Sequence, residues 1–367
     1  MYNVLDLFSG CGGMSYGMDQ VDGLRVRVAN EFDASACSTF RDNHPECNLV
    51  EGSITDPAIR DIIVQQSLDN DVKVVIGGIP CQAFSNAGKR DPFDNRGQLY
   101  LDYFDIVKRV NPYICVIENV KGLASMRHFE SDAIPEEVLK EIKTNYNTKG
   151  MTSGKLLKTY NKYTFSVVDR WVDMFNDLGY NAEMRILKAS DYGVPQHRER
   201  VIIIASKGCV IFPKKTHNES GVDGLKRWAT VRDAINDLKD LEEDVEFAHQ
   251  FRRYTNDKTT PQKIKNTKYG DSYSGYGEAN QKCHPDRPCN TVKENHGAVF
   301  THYEKGRHMT VRELARLQSF PDEFMFKCNK GQAFKQIGNA VPCLLGMAIG
   351  ESCLKIMFKD FMDGVDK

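Results

Sequence analysis

Hydrophobic positions in the first two hundred residues come in short, nearly continuous runs, separated by stretches with helical spacing. Residues 4–7, 24–29, 49–51, 72–76, 113–118, 181–188 and 201–205 read as strands. Between them, residues 14–20, 34–43, 57–66, 99–110 and 165–178 carry apolar side chains three and four apart, as amphipathic helices do. Pro57 suits a first helical turn. Strands that are apolar without clean alternation are covered on both faces. The expected fold is therefore α/β, a Rossmann-like, doubly wound and mostly parallel sheet. The rhythm stops after Lys207, and residues up to His308 are polar and rich in Gly, Asn, Thr and Tyr. Helical spacing returns at 310–319 and 340–358. The predicted organisation is a main domain of residues 1–207 and 309–367, with residues 208–308 forming a smaller irregular or β domain. A polar, Lys-rich insertion at 121–163 has no pattern that defines its structure.

Composition narrows the class. The chain has 367 residues, 41% of them hydrophobic, enough for a large core and two domains. Net charge is −1, which is not the global footprint of a nucleic-acid binder. Charge is uneven, however. Residues 252–293 hold nine Lys/Arg against four Asp/Glu, and residues 143–162 hold five Lys and no acid. Either stretch could meet phosphates; solvated surface is the competing reading. No run approaches the ~20 apolar residues of a membrane span. The N-terminus runs straight into a strand without a signal peptide, so a cytoplasmic protein is expected. Eleven irregularly spaced cysteines suit a reducing compartment rather than a disulfide framework.

The candidate chemistry gathers at strand ends. Gly77-Gly78-Ile79-Pro80-Cys81-Gln82 follows the strand at 72–76, placing a thiol where open α/β sheets bind ligands. Cysteine is a strong nucleophile once partly thiolate, although most of the other cysteines are expected to be buried and inert. Asp6-Leu7-Phe8-Ser9-Gly10-Cys11-Gly12-Gly13-Met14 follows the first strand, and its glycines would allow close approach of a ligand. The dinucleotide pattern is incomplete, because its third glycine position is Ser15. Glu31, at the end of the second strand, suits recognition of ribose hydroxyls. Glu118 ends the strand at 113–118 and points toward the same crevice, where it could donate a proton. In Gln196-His197-Arg198-Glu199-Arg200, alternation puts Gln196, Arg198 and Arg200 on one face. An arginine there could bind a carbonyl oxygen or phosphate and orient Glu118.

At this point the chain closely resembles the DNA cytosine-5 methyltransferases. The resemblance rests on Phe8-Ser9-Gly10-Cys11-Gly12-Gly13, Pro80-Cys81-Gln82, Glu118-Asn119-Val120 and Gln196-x-Arg198-x-Arg200, in that order. It continues through Arg312-Glu313-Leu314-Ala315-Arg316-Leu317-Gln318-Ser319-Phe320-Pro321 and Gln336-Ile337-Gly338-Asn339-Ala340-Val341-Pro342. It implies that Cys81 attacks carbon 6 of a cytosine extruded from the duplex, that Glu118 protonates or hydrogen-bonds ring N3, and that carbon 5 takes a methyl group from S-adenosylmethionine. Arg198 resembles the arginine that contacts the base carbonyl, and Arg200 belongs to the same catalytic set. Phe8, Gly10, Gly12, Gly13, Glu31, Leu99 and Asn339 would contact the cofactor. Gln82, Ser85, Lys89, Arg90, Gln196 and Thr291 would contact DNA, the residues after Cys81 forming a loop that closes on it.

There are two departures. Ser53 stands where many members have an acid near the adenine, and Ile79 replaces a proline. The reaction needs no metal, and the spacing of Cys283, His284, Cys289, His296 and His302 does not match a zinc knuckle. The resemblance further implies a monomer acting on a short site in double-stranded DNA, associated with the nucleoid only through that DNA. It would be the protective half of a restriction-modification system whose endonuclease is a functional rather than physical partner. A transfer-RNA cytosine-5 methyltransferase of the same fold is the alternative.

Overall fold

In the computed structural model, residues 1–80, 99–130, 134–147, 149–252, 258–275, 279–294 and 300–362 are described. The chain opens with β1 (Tyr2–Leu7), α1 (Gly13–Asp19), β2 (Leu24–Glu31), α2 (Ala34–Asn43), β3 (Asn48–Glu51), α3 (Pro57–Asp69), β4 (Val72–Gly77), α4 (Leu99–Val110) and β5 (Ile114–Val120). An excursion follows: β6 (Arg127–Phe129), α5 (Glu136–Asn147), α6 (Ser153–Thr159) and β7 (Thr164–Ser166). Then α7 (Val167–Asp177), β8 (Asn181–Lys188) and β9 (Glu199–Ser206) complete the sheet. Its strand order is β3-β2-β1-β4-β5-β9-β8. All neighbours pair in parallel except β9, which runs antiparallel to both β5 and β8.

Both faces of the sheet are covered, as the apolar runs require. Leu5, Leu7, Val75, Ile117 and Ile203 face α3, α4 and α7 through Ile63, Tyr103, Trp171 and Phe175. Val4, Val74, Ile76, Val116 and Ile202 face α1 and the last helix, α12 (Cys343–Met362). The 33-residue stretch Lys330–Met362, which ends with this helix, qualifies the expectation that no segment approaches membrane-spanning length. It is long and apolar enough by those criteria alone, but Leu345, Ile349, Cys353, Ile356 and Met357 are buried against the sheet, as in a core helix.

The region after β9 is mostly irregular, with two-residue strands β10 (His217–Asn218), β11 (Lys226–Arg227), β12 (Gln281–Lys282) and β13 (Phe300–Thr301). Its helices α8 (Val231–Ile235) and α9 (Thr260–Asn266) are short. One apolar cluster joins Val231, Ile235, Val292 and Phe300 to α10 (Val311–Leu317) and α11 (Lys330–Asn339). The inserted region and the closing segment thus share a core across residue 308. Helix α11 has no counterpart in the sequence reading, because its buried side chains are few. It starts at Asn329, whose side chain accepts from the Gln332 amide, and Pro342 lies between it and α12.

Candidate active site

Strand order reverses between β1 and β4, and the loops leaving the carboxyl ends of these strands flank a crevice. On the β1 side, Phe8 (φ 58°), Gly10 (φ 57°) and Gly12 (φ 93°) hold left-handed backbone. Such a conformation is costly for an aromatic residue and is commonly retained at ligand sites. The Gly10 amide donates to Glu31 Oε2 at 2.9 Å, and the Phe32 and Asp33 amides donate to Oε1 at 2.8 Å. Glu31 is therefore buried and gripped by three backbone N–H groups from two loops. A Cβ on Gly10 would meet nothing within 4 Å, so the loop presents open space there. A Cβ on Gly13 would fall 2.6 Å from the Val341 carbonyl, which shows how closely the C-terminal segment packs on this loop. Below the loop, Asp6 accepts from Ser15 Oγ at 2.5 Å. Burial raises its pKa to about 7, and the charges of Glu31 and Asp19 push the same way.

Phe32 was not singled out from sequence. Its ring is 66% exposed beside Glu31, an unusual place for a large apolar side chain at the end of a buried strand. The signal was an aromatic residue immediately after the terminal acid of β2. Ser53 is exposed, and its hydroxyl lies 2.8 Å from that of Thr55. Leu99 opens α4 half-buried against the sheet core. Asn339 is exposed at the end of α11 and donates from Nδ2 to Glu294 Oε2 at 3.0 Å.

On the β4–β5 side, Glu118 and Arg200 are both buried, and Arg200 Nε donates to Glu118 Oε1 at 2.8 Å. The pairing follows from the register: β5 and β9 are adjacent and antiparallel, with Val120 opposite Arg200 and Glu118 opposite Ile202. A Cβ on Gly78 would sit 3.4 Å from Glu118 Oε2, so the β4 loop passes over this carboxylate. Asn119 Nδ2 donates to the Ile79 carbonyl at 2.9 Å and ties the loop down one turn before Cys81. Cys81, Gln82, Ser85, Lys89 and Arg90 themselves lie outside the described residues. Among the ten described cysteines, burial pushes the Cys11 thiol up to about 12 and that of Cys37 to about 11. Burial also raises those of Cys115, Cys283, Cys289 and Cys343, which suits packing rather than nucleophilic attack.

Two other residues of the Gln-x-Arg-x-Arg motif require correction. Gln196 was expected to contact DNA, but it is fully buried. Its Nε2 donates to the Leu317 carbonyl and to Gln318 Oε1, and its Oε1 accepts from the Val292 amide at 2.9 Å. No polar atom is left to reach a phosphate or base. Arg198 was expected at the base carbonyl. It donates instead from Nη1 to Val292 O and from Nη2 to Gly338 O, both at 3.0 Å, and its buried Nε has no hydrogen-bond partner among the described residues. Burial pulls both guanidiniums below the usual arginine range; the charge of Arg200 adds to the effect at Arg198, whereas Glu118 opposes it at both. The physical reason is non-local. Residues 289–292 lie along 195–198, with the Cys289 amide donating to Pro195 O and the His197 amide to Cys289 O. Thr291 joins this seam by donating from Oγ1 to the His197 carbonyl at 3.1 Å. Among the described residues, no three His, Cys, Asp or Glu side chains converge as a metal site; Cys283 and Cys289 are buried in an apolar cluster.

Chemically, the crevice has open space at Gly10 and a fixed carboxylate, Glu31, at that end. At the other is a buried carboxylate–guanidinium pair under the loop that leads to Cys81. The profile of the C-5 cytosine-specific DNA methylase family matches residues 2–150 and 153–355. Type II methyltransferase M.NgoPII of Neisseria gonorrhoeae is 31% identical, over 96% of this chain and 96% of its own length. Type II methyltransferase M.Eco47II of Escherichia coli is 30% identical, over 98% of this chain and 80% of its own. Among solved structures, a protein described as a DNA modification methyltransferase encoded within an Escherichia coli prophage superposes with a TM-score of 0.69. It is 23% identical, with 98% of this chain and 100% of that one covered, a likeness that concerns the fold.

Proposed function

The chain belongs to the C-5 cytosine-specific DNA methylase family, and on that premise we propose how its own residues carry out methyl transfer to cytosine in DNA. The observation that carries the reading is the buried Glu118–Arg200 pair beneath the loop that leads to Cys81. A target base extruded from the duplex enters this crevice. The Cys81 thiolate adds to carbon 6, and the ring electrons move toward carbon 5. Glu118 gives a proton or hydrogen bond to N3 and stabilises the charge that develops there. Arg200, rather than Arg198, holds that carboxylate in place and lies on the base side of the seam. Asn119 fixes the backbone at Ile79, two residues ahead of Cys81. S-adenosylmethionine supplies the electrophilic methyl group. After transfer, a base removes the carbon 5 proton, and Cys81 leaves as thiolate.

The residues present fit that cofactor. Gly10 leaves the space a ligand needs, Glu31 is oriented to meet ribose hydroxyls, and the exposed Phe32 ring offers a face for the adenine. Phe8, Gly12 and Gly13 shape the same loop; Leu99 and Asn339 border the opening. Lys89, Arg90, Gln82 and Ser85 belong to the loop proposed to close on DNA, and Thr291 braces the seam with residues 195–198. The relatives carry type II methyltransferase names, which supports a protective role beside a restriction endonuclease; the form we propose for it is a cytoplasmic monomer.

The test is transfer of labelled methyl from S-adenosylmethionine to unmethylated duplex DNA and, in parallel, to transfer RNA, with bisulfite sequencing of the products. Methylation of cytosines in one recurring short DNA context is expected. Transfer to RNA alone would overturn the substrate assignment.

A further inference from the structure

The excursion between β5 and α7 is a separate structural unit rooted at the active site. It leaves two residues after Glu118, and its root is pinned by Lys121 Nζ on Glu199 Oε2 at 2.8 Å, next to Arg200. The β6–β7 ribbon closes it, with Arg127 opposite Ser166 and Phe129 opposite Thr164. Beyond the ribbon, α5 and α6 enclose a core of their own: Phe129, Ile134, Ile142, Leu156 and Tyr160. Tyr160 Oη accepts from Asn145 Nδ2 and donates to Glu141 Oε1, both at 2.7 Å, locking the two helices together.

Charge in this unit is segregated. Every acid between 127 and 166 lies at 130–141, and from 142 onward there are only lysines. Lys140 pairs with Glu136, Arg170 of α7 pairs with Glu130, and Arg127 in the ribbon donates to Thr164. Lys149, Lys155, Lys158 and Lys162 are exposed and meet no carboxylate among the described residues. Lys155 and Lys158 lie three apart on α6, opposite the buried Leu156 and Tyr160, and Lys162 follows on the next turn. A protein with net charge −1 has no long-range attraction for a polyanion, so a duplex is met by local basic surfaces.

We propose that residues 127–166 form a DNA-holding arm whose exposed lysines, Lys149, Lys155, Lys158 and Lys162, contact phosphates of the duplex flanking the target base. The arm rests on the reading of DNA as substrate and adds to it a second contact surface outside the 208–308 region. Its contacts carry no sequence information; they position the duplex and strengthen binding.

The test compares wild type with the quadruple variant K149Q/K155Q/K158Q/K162Q and with the four-Arg counterpart, by DNA binding across a salt series and by steady-state methylation. Each lost phosphate contact lowers the slope of log K against log salt by about 0.9, so a fall of roughly 3–4 is expected for the four contacts removed in the Gln variant. Its DNA affinity near 50 mM salt should drop tenfold or more, and the loss should appear in KM rather than kcat. The four-Arg variant should keep the wild-type slope, and both should melt like wild type, because the lysines lie outside the arm's core. An unchanged slope and KM in the Gln variant, with wild type active on DNA, would overturn the arm alone. A wild type inactive on DNA would overturn the substrate reading and the arm together.

Discussion

Two buried carboxylates stand at the two ends of the crevice, and they are held by different means. Glu31 ends β2 and accepts three backbone N–H bonds, from Gly10, Phe32 and Asp33. Glu118 sits in β5 and is held by one side chain, the Arg200 guanidinium. A backbone cradle is preorganised by the fold and keeps its geometry through a reaction. An ion pair can shift partners when a base arrives and charge develops. Under the proposed function, the contrast suits Glu31 to ground-state binding of the cofactor and Glu118 to the transition state.

The largest break should come at Glu118. Glu118→Gln replaces the carboxyl by an amide that keeps its shape but can neither pass a proton nor pair its charge with Arg200. Methyl transfer at saturating substrates should fall by about 10²–10³-fold, with cofactor affinity, measured by calorimetry, within twofold of wild type. Arg200→Ala should also destabilise the fold, by about 3–5 kcal/mol, since it leaves a buried carboxylate unpaired. Combining it with Glu118→Gln should restore much of that stability. A double variant no more stable than Arg200→Ala would show that the pair is not the energetic unit drawn here. Glu31→Gln should do the reverse of Glu118→Gln. Hydrogen bonds to a charged group are worth about 1.5–3 kcal/mol, so cofactor affinity should weaken roughly 10- to 100-fold while kcat at saturation changes little. If kcat collapsed and affinity held, the division of labour would be wrong.

The two ends were unequally legible. β1, β4, β5 and β9 are buried on both faces, so their apolar runs announced them, and Glu31 and Glu118 followed from strand ends. Alternation put Gln196, Arg198 and Arg200 on one face but could not say what each would touch. Only Arg200 reaches Glu118; the other two are claimed by residues 292, 317, 318 and 338, a hundred positions away in sequence. Helices α5 and α6 were missed because their core depends on a few widely spaced residues, among them Ile142, Leu156 and Tyr160. Phe32 was missed because an exposed aromatic cannot be told from a buried one by pattern alone.

A fourth test concerns Asp6, the second acid at the Glu31 end. Burial raises its pKa from 3.8 to about 7, so between pH 4 and 7 the native state holds a proton that the unfolded chain releases. Stability from this group is therefore full below pH 4 and is lost as pH rises through 7, by on the order of 4 kcal/mol. Denaturant midpoints at pH 5 and 8 should differ less in Asp6→Asn than in wild type. Because the charge of Glu31 helps raise the Asp6 pKa, Glu31→Gln should move the wild-type pH dependence to lower pH. A variant as pH-sensitive as wild type would place the titrating group elsewhere.

The smallest effect should come from the other side-chain ion pair in the crevice. Lys335 Nζ lies 2.9 Å from Asp33 Oδ2, with the lysine side chain 54% exposed and the aspartate 32%. The pair pulls the carboxyl of Asp33 below the usual range, chiefly through the lysine hydrogen bond. Exposure limits what the pair contributes, and an exposed pair is worth about 0–1 kcal/mol. Asp33 has two separable roles. Its side chain caps α2 by accepting from the Ser35 and Ala36 amides, while its own amide donates to Glu31. Lys335→Ala removes only the partner of the side chain and leaves the cap and the amide in place. Unfolding stability should therefore fall by less than about 1 kcal/mol, and cofactor affinity should not move, because Glu31 is held by main chain. Measured beside Arg200→Ala, this variant removes the same kind of contact at the opposite end, where burial is low. A large loss of cofactor affinity in Lys335→Ala would mean that the Glu31 cradle depends on side chains after all.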